Sequence, residues 1–226
     1  MSLNRLDTAT RVGDMAFEAL QTAISNGDYA AGDRLQIRDV AAQLGISVMP
    51  VREAIKRLEE IGLVETRPYK GAVVKEFTPD ELLNIYAVRR LLETDAARQG
   101  VDAMTPEDIT DLEELFTSMS EALADGDVLR YLDLDEEILM TVYSASDNPV
   151  LMEMIQALWA RCRHFKILGT RRSVADSTTV DLLRHQRELI DAARRHDGAG
   201  AAATTMTSLD EARARIRASI GTTGQQ

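Results

Sequence analysis

A single cysteine, Cys162, stands among the 226 residues, so no disulfide can form within the chain and a small disulfide-stapled secreted scaffold is excluded. Long hydrophobic runs are missing as well: nothing approaches the roughly 18 apolar residues that a helical membrane span requires. The opening MSLNRLDTAT has no apolar core behind a basic start and does not read as a secretory signal. Together these absences predict a cytoplasmic protein that does not engage a membrane. The sequence also lacks a Gly-rich phosphate loop, a G-x-S-x-G elbow and an H-E-x-x-H pair, and Cys162 lies between Arg161 and Arg163 with no evident base. The chain is therefore not expected to be an enzyme.

Positive charge is scarce too, with 26 Lys/Arg against 37 Asp/Glu and a net charge of −11. The deficit is uneven. Ten Lys/Arg and eleven Asp/Glu fall in residues 1–76, which leaves 16 and 26 beyond them. Between residues 47 and 75, Arg52, Lys56, Arg57, Arg67, Lys70 and Lys75 face only Glu53, Glu59, Glu60 and Glu65, a local excess suited to phosphate. Length allows two cores, and the chain is expected to divide into residues 1–76 and 77–226.

What is present is helical periodicity. Val12, Met15, Ala16, Ala19, Leu20, Ala23 and Ile24 recur at steps of three and four, predicting a helix from Thr10 to Asn26 that Gly27 ends. Ile37, Val40, Ala41 and Leu44 predict a second, short helix, stopped by Gly45, a residue free to adopt the left-handed conformation. Ser47 is a suitable N-cap for a third helix with Pro50 in its first turn and Val51, Ala54, Ile55, Leu58 and Ile61 facing inward. After Gly62, the runs Leu63–Thr66 and Ala72–Val74 predict a β-hairpin with a basic tip at Arg67–Gly71. From Thr78-Pro79 onward six helices are expected, broken at Gly100–Pro106, Asp125–Asp127, Asp147–Pro149, Gly169–Ser177 and Asp197–Gly200, and short connections favour antiparallel neighbours. The fold class predicted is thus mainly α: a winged helix-turn-helix followed by an antiparallel all-helical bundle able to enclose a cavity.

Two short helices joined by a Gly-containing turn, the second carrying cations near its start, suit insertion into a major groove. Arg52 could present its planar fork to guanine O6 and N7, Ser47 and nearby amides could hold a phosphate, and Arg38, Lys56 and Lys70 add charge.

More specifically, the stretch Gly27-x4-Gly32-x2-Leu35, Ala41-x3-Gly45-Ile46-Ser47-x2-Pro50-Val51-Arg52-Glu53-Ala54-Ile55-x2-Leu58-x3-Gly62-Leu63-Val64 and Gly71-Ala72-x-Val74 resembles the DNA-binding domain of the GntR superfamily. Val88-Arg89-x2-Leu92-Glu93, Asp135 and Asp147-Asn148-Pro149-Val150-Leu151 resemble the FCD class, the FadR-type subgroup with a helical effector domain. The resemblance implies a homodimeric transcription regulator, commonly a repressor of a metabolic operon. It implies contacts to palindromic operator DNA from Arg38, Ser47, Val48, Met49, Arg52, Lys70 and Gly71. Relatives commonly carry a basic residue and a threonine where this chain has Val48 and Met49, and a proline where it has Ala31. The first pair predicts an operator that departs from the common consensus near the half-site centre. The resemblance also implies that effector binding changes the angle between the two reading heads of the dimer.

Many FCD proteins hold a divalent metal with one Asp and three His. The matching positions here are Asp135, Leu139, His185 and Ser208, so two of the four ligands are absent and no metal or other cofactor is expected. With Arg89, Asp135, Arg161 and His185 as candidate effector-binding residues, an organic acid is the expected ligand, because arginine pairs bidentately with carboxylates. Arg89 paired with Glu93 at i, i+4 is the competing reading of that arginine. The competing readings of the whole chain are an enzyme or isomerase acting on a small organic acid, and a protein-interaction module.

Overall fold

The structure, a computed structural model, describes residues 8–176 and 180–223. It forms two compact units, divided between Phe77 and Thr78.

The first unit opens with α1 (Thr8–Asn26), followed by α2 (Ile37–Leu44), α3 (Val48–Glu60), β1 (Val64–Arg67) and β2 (Gly71–Val74). Its core is the apolar stripe of each helix: Ala16, Leu20 and Ile24 of α1 meet Val51, Ala54, Ile55 and Leu58 of α3, with Leu35, Val40, Val64 and Val73 closing the cluster. Gly45 ends α2 at φ 66, and the amide of Ile46 reaches back to the carbonyl of Ala41 at 3.0 Å. That turn needs the left-handed backbone that glycine adopts freely, and it lets α3 begin only four residues after α2 ends. Arg57 locks α3 to α1, donating to Asp14 at 2.6 Å while its guanidinium stacks 4.2 Å over the Phe17 ring. The strands pair antiparallel from Val64↔Val74 to Arg67↔Gly71, and Arg34 adds a single bridge to Val73. At the tip, Lys70 donates its amide to the carbonyl of Arg67 at 3.2 Å. Pro68 and a positive φ of 64 at Tyr69 fill the two central positions of that turn.

The second unit holds α4 (Pro79–Ala103), α5 (Pro106–Ala124), α6 (Val128–Ser144), α7 (Pro149–Ala175), α8 (Val180–Arg194) and α9 (Gly198–Thr223). Each of the first four has a capped start. Thr78 with Glu81 and Thr105 with Asp108 form reciprocal capping boxes, both before a proline in the first turn, and Asp127 and Asn148 accept from Arg130 and Leu151 amides. The bundle core runs through Ala97, Val101, Leu112, Met119, Leu132, Ile138, Val142, Ile155, Trp159 and Ile190. Met119 is among the fully buried core residues, whereas Met154 is exposed.

Two expected helix breaks do not occur where the glycines suggested. Helix α4 runs through Gly100 to Ala103, because that glycine serves a close approach rather than a turn: a Cβ there would lie 1.9 Å from the Val142 carbonyl oxygen of α6. Helix α7 likewise runs through Gly169 to Ala175, with open space where a Cβ would be. A mid-helix glycine costs roughly 1 kcal/mol relative to alanine, which a 27-residue helix anchored along one face absorbs. Ser177, the far end of the expected break, and residues 1–7 lie outside the described residues.

Candidate nucleic-acid interface and effector cavity

In the first unit, burial of Val51, Ala54, Ile55 and Leu58 turns the opposite face of α3 to solvent. That face carries Val48, Met49, Arg52 and Lys56, the two apolar side chains 44% and 62% exposed at the very start of the helix. Ser47 occupies the N-cap with extended backbone, yet its hydroxyl makes no capping hydrogen bond, so the first-turn amides and the hydroxyl both remain open to an acceptor from outside. The cations of this unit fall into two groups. Arg57 and Arg67 are held, the latter donating to Glu65 at 2.6 Å. Arg38, Arg52 and the side chain of Lys70 are exposed and make no ion pair or hydrogen bond among the described residues, while Lys56 has only a loose contact with Glu60 at 3.8 Å. Gly71 starts β2 at φ 73 with open space around it.

Two residues of this face escape a pattern-based reading. Arg34, beside the bridge to Val73, is exposed and likewise unpaired among the described residues. Tyr69 projects from the hairpin tip fully exposed, flanked by Pro68 and Lys70.

In the second unit, helices α4, α6, α7, α8 and α9 line a partly open cavity of about 320 Å³. That size lies at the lower end of the range of about 300–1,000 Å³ typical of small-molecule sites. The four positions matched to the family's metal ligands, Asp135, Leu139, His185 and Ser208, all line it. Arg89 also lines it but is committed elsewhere. Its Nε donates to Glu93 at 2.6 Å, one terminal nitrogen donates to the other Glu93 oxygen at 3.3 Å, and the other reaches the Cys162 sulfur at 3.3 Å. Trp159 Nε1 at 3.0 Å and the Tyr143 hydroxyl at 3.4 Å complete the donors around Glu93. Arg89 and Glu93 are 3% and 1% exposed, so the i, i+4 pairing describes this arginine and its charge is neutralised inside the wall. Arg161 is not among the lining residues: those of α7 begin one turn further along, with Phe165, Lys166, Gly169 and Thr170.

Lys166 and Arg215 are the cations that reading the sequence did not pick out. Lys166 Nζ donates to Asp135 Oδ2 at 2.7 Å, and Gln186 Nε2 donates to the other oxygen of the same carboxylate. Burial alone pulls the Lys166 ammonium down, but Asp135 and Glu136 more than reverse it, leaving its pKa above the ordinary lysine value. Arg215 lines the cavity and has no ion pair among the described residues. His185 is pulled below the usual histidine value by burial, with Glu211 opposing. Its Nε2 sits 3.5 Å from Glu211 without a hydrogen bond, and Gln186 Oε1 is also buried without a partner. Among the described residues the cavity therefore offers a salt-bridged floor, the exposed cation Arg215 without an ion pair, and three buried polar atoms without a hydrogen-bond partner, His185 Nε2, Gln186 Oε1 and Thr205 Oγ1, an arrangement suited to a small polar anion. Cys162 offers no reactive thiol, since burial pushes its pKa up. Among the described residues no helix is long and apolar enough to cross a membrane.

Comparison with known proteins agrees with both halves. Residues 84–211 match the family model described as FCD domain, and residues 13–74 match that described as bacterial regulatory proteins, gntR family. The chain is 33% identical over 142 residues to the HTH-type transcriptional regulator McbR of Escherichia coli strain K12, covering 63% of this chain and 64% of McbR. It is 28% identical over 137 residues to the Nta operon transcriptional regulator of Aminobacter aminovorans, covering 60% of this chain and 64% of that protein. These matched stretches span less than two thirds of either relative. Among solved structures, E. coli McbR/YncC superposes with a TM-score of 0.82 at 25% identity, over 92% of this chain and 98% of that one. The winged helix-turn-helix, the six-helix unit and both family matches agree: the chain belongs to the GntR family of bacterial regulatory proteins, in the group that carries an FCD domain.

Proposed function

We propose that this chain is a homodimeric, cytoplasmic transcription repressor that binds operator DNA through its first unit and a small anionic metabolite through its second. The observation that carries the reading is the face built on α3. There Arg52 is exposed, as are Arg38 of α2 and Lys70 of the hairpin, all three without an ion pair among the described residues, and the N-cap serine makes no capping hydrogen bond. Water satisfies such cations in the isolated chain, and their clustering beside the start of α3 leaves them available to phosphates and base edges. Arg52 reads a base, Arg38 and Lys70 position the backbone, and Val48 and Met49 meet a thymine methyl rather than a polar edge. Lys56 and Gly71 stand beside these contacts, Lys56 as a further phosphate partner and Gly71 as the point where the hairpin backbone approaches DNA.

The repressor acts by occupying its operator, and the metabolite weakens that grip. The coupling is the difference in ligand affinity between DNA-competent and DNA-incompetent states, typically 1–3 kcal/mol. The cavity and the similarity to proteins named as transcriptional regulators support this reading over catalysis.

Fluorescence anisotropy with DNA from upstream of the chain's own gene tests it. Wild-type protein should bind with a steep salt dependence, and Arg52→Ala should lose about 1–3 kcal/mol of specific affinity while remaining folded and dimeric. If folded, dimeric Arg52→Ala bound the same operator equally tightly and selectively, the reading would be wrong.

A further inference from the structure

The family's divalent ion does not fit the residues of this cavity. Asp135 and His185 are present, but Leu139 has no donor atom and Ser208 offers only a neutral hydroxyl. Among the described residues no group of three His, Cys, Asp or Glu side chains is placed to share an ion. Both oxygens of Asp135 already accept hydrogen bonds, Oδ2 from the Lys166 ammonium at 2.7 Å and Oδ1 from the Gln186 amide. An ion bound to Oδ2 would sit about 2.0–2.2 Å from it, within close range of an ammonium of like charge.

We propose that Lys166 is the resident cation of this cavity, standing on Asp135 where relatives with the full ligand set place a divalent metal, so that effector binding in this chain is independent of metal. The inference rests on the effector-site reading of the cavity but concerns what fills its floor. A lysine on α7 supplies one positive charge covalently and permanently, whereas an ion supplies two and leaves when chelated. Lys166 is fixed there by chemistry from two other helices: Asp135 on α6 holds the ammonium, and Gln186 on α8 holds Asp135. Glu136, 3.9 Å from Nζ and 2.8 Å from Arg163, adds a further carboxylate to the cation's surroundings. With the floor balanced as an ion pair, the exposed guanidinium of Arg215, which makes no ion pair among the described residues, is left as the site's anion receptor. The buried His185 Nε2 and Gln186 Oε1 are then the atoms that read the ligand's polar body. The ligand class this fits is a small carboxylate that carries a hydrogen-bond donor, since Gln186 Oε1 can only accept.

The test uses metals alone as probes, so it can fail while operator binding stands, and operator binding can fail while it stands. Full-length protein is titrated with Mn²⁺, Ni²⁺ or Zn²⁺ and followed by calorimetry and thermal shift. Wild type should show no saturable uptake at the cavity. The combined variant Lys166→Met, Leu139→His, Ser208→His, which removes the ammonium and restores the missing ligands, should take up one Ni²⁺ per chain, reversed by EDTA. Stoichiometric uptake by wild type that disappears in Asp135→Asn would overturn the proposal. Uptake unchanged in Asp135→Asn belongs to another place and counts with the first result. A combined variant that folds by circular dichroism yet takes up no Ni²⁺ would also overturn it, because the ammonium would then not mark the ion's position. Should the combined variant not fold, the wild-type and Asp135→Asn titrations decide alone.

Discussion

Arg52 and Arg89 are the same side chain under opposite conditions. Arg52 stands on the solvent face of α3 with no partner among the described residues; Arg89 lies in the bundle with Glu93 on two of its nitrogens and Cys162 on the third. The difference separates two uses of charge. A cation that must meet a phosphate or a base cannot be neutralised beforehand by its own chain, because the internal partner would compete with the external one. A cation inside a bundle has no water to satisfy it, so it must be paired or it is very costly. Lys166 on Asp135 and Arg163 on Asp133 and Glu136 follow the second rule. Arg215 also lines the cavity, but it is exposed, so water satisfies it and it falls under the first rule rather than the second.

The comparison breaks most visibly at Glu93. Glu93→Ala should destabilise the second unit by about 3–5 kcal/mol, since it strands a buried guanidinium and frees the Trp159 and Tyr143 donors; urea unfolding followed by Trp159 fluorescence measures it, and a loss under about 1 kcal/mol would mean that Arg89 finds another partner. Gly100→Ala comes next, at about 1–3 kcal/mol by overpacking against the Val142 carbonyl, read from the same unfolding curve. On the other side of the comparison, Lys70→Ala should leave stability unchanged, weaken binding to all DNA sequences alike and lower the slope of log affinity against log salt by about one. A loss confined to one operator sequence would instead make Lys70 a base reader.

The smallest effect is that of pH on His185. Its folded pKa lies below the usual value of about 6.5, with burial as the largest cause. The native state therefore binds fewer protons than the unfolded one. The stability this histidine contributes is complete above its unfolded pKa and is lost as pH falls through the folded one. His185→Asn should flatten the fall in urea midpoint below about pH 6.5; an unchanged profile would assign that fall to other groups.

Much of this was legible in the sequence where the signal is local. The three helices of the reading unit, the left-handed Gly45 and the hairpin all follow from spacing within about ten residues, and so does the Arg89–Glu93 pair, which is one helical turn long. The cavity was legible only in part. Asp135 and His185 line it, but Arg161 and Lys166 are five residues apart on one helix, and which of them faces inward depends on how α7 packs. The bonds that define Lys166 span 31 and 51 residues, from Lys166 to Asp135 and from Asp135 to Gln186, and no periodicity encodes such contacts. Gly100 misled for a related reason. Locally it resembles a helix stop, and only the neighbouring backbone of α6 shows why a side chain is missing there.

Tyr69 draws the two units' logic to a point. A bulky residue at φ 64 is strained by about 1–3 kcal/mol, and its ring lies wholly in water, so the isolated chain gains nothing from it. Glycine or asparagine would hold the same turn with less strain. A library sorted for heat resistance alone should discard this tyrosine early, whereas one sorted for promoter occupancy should keep it, and the two winning sequences would diverge first at the wing.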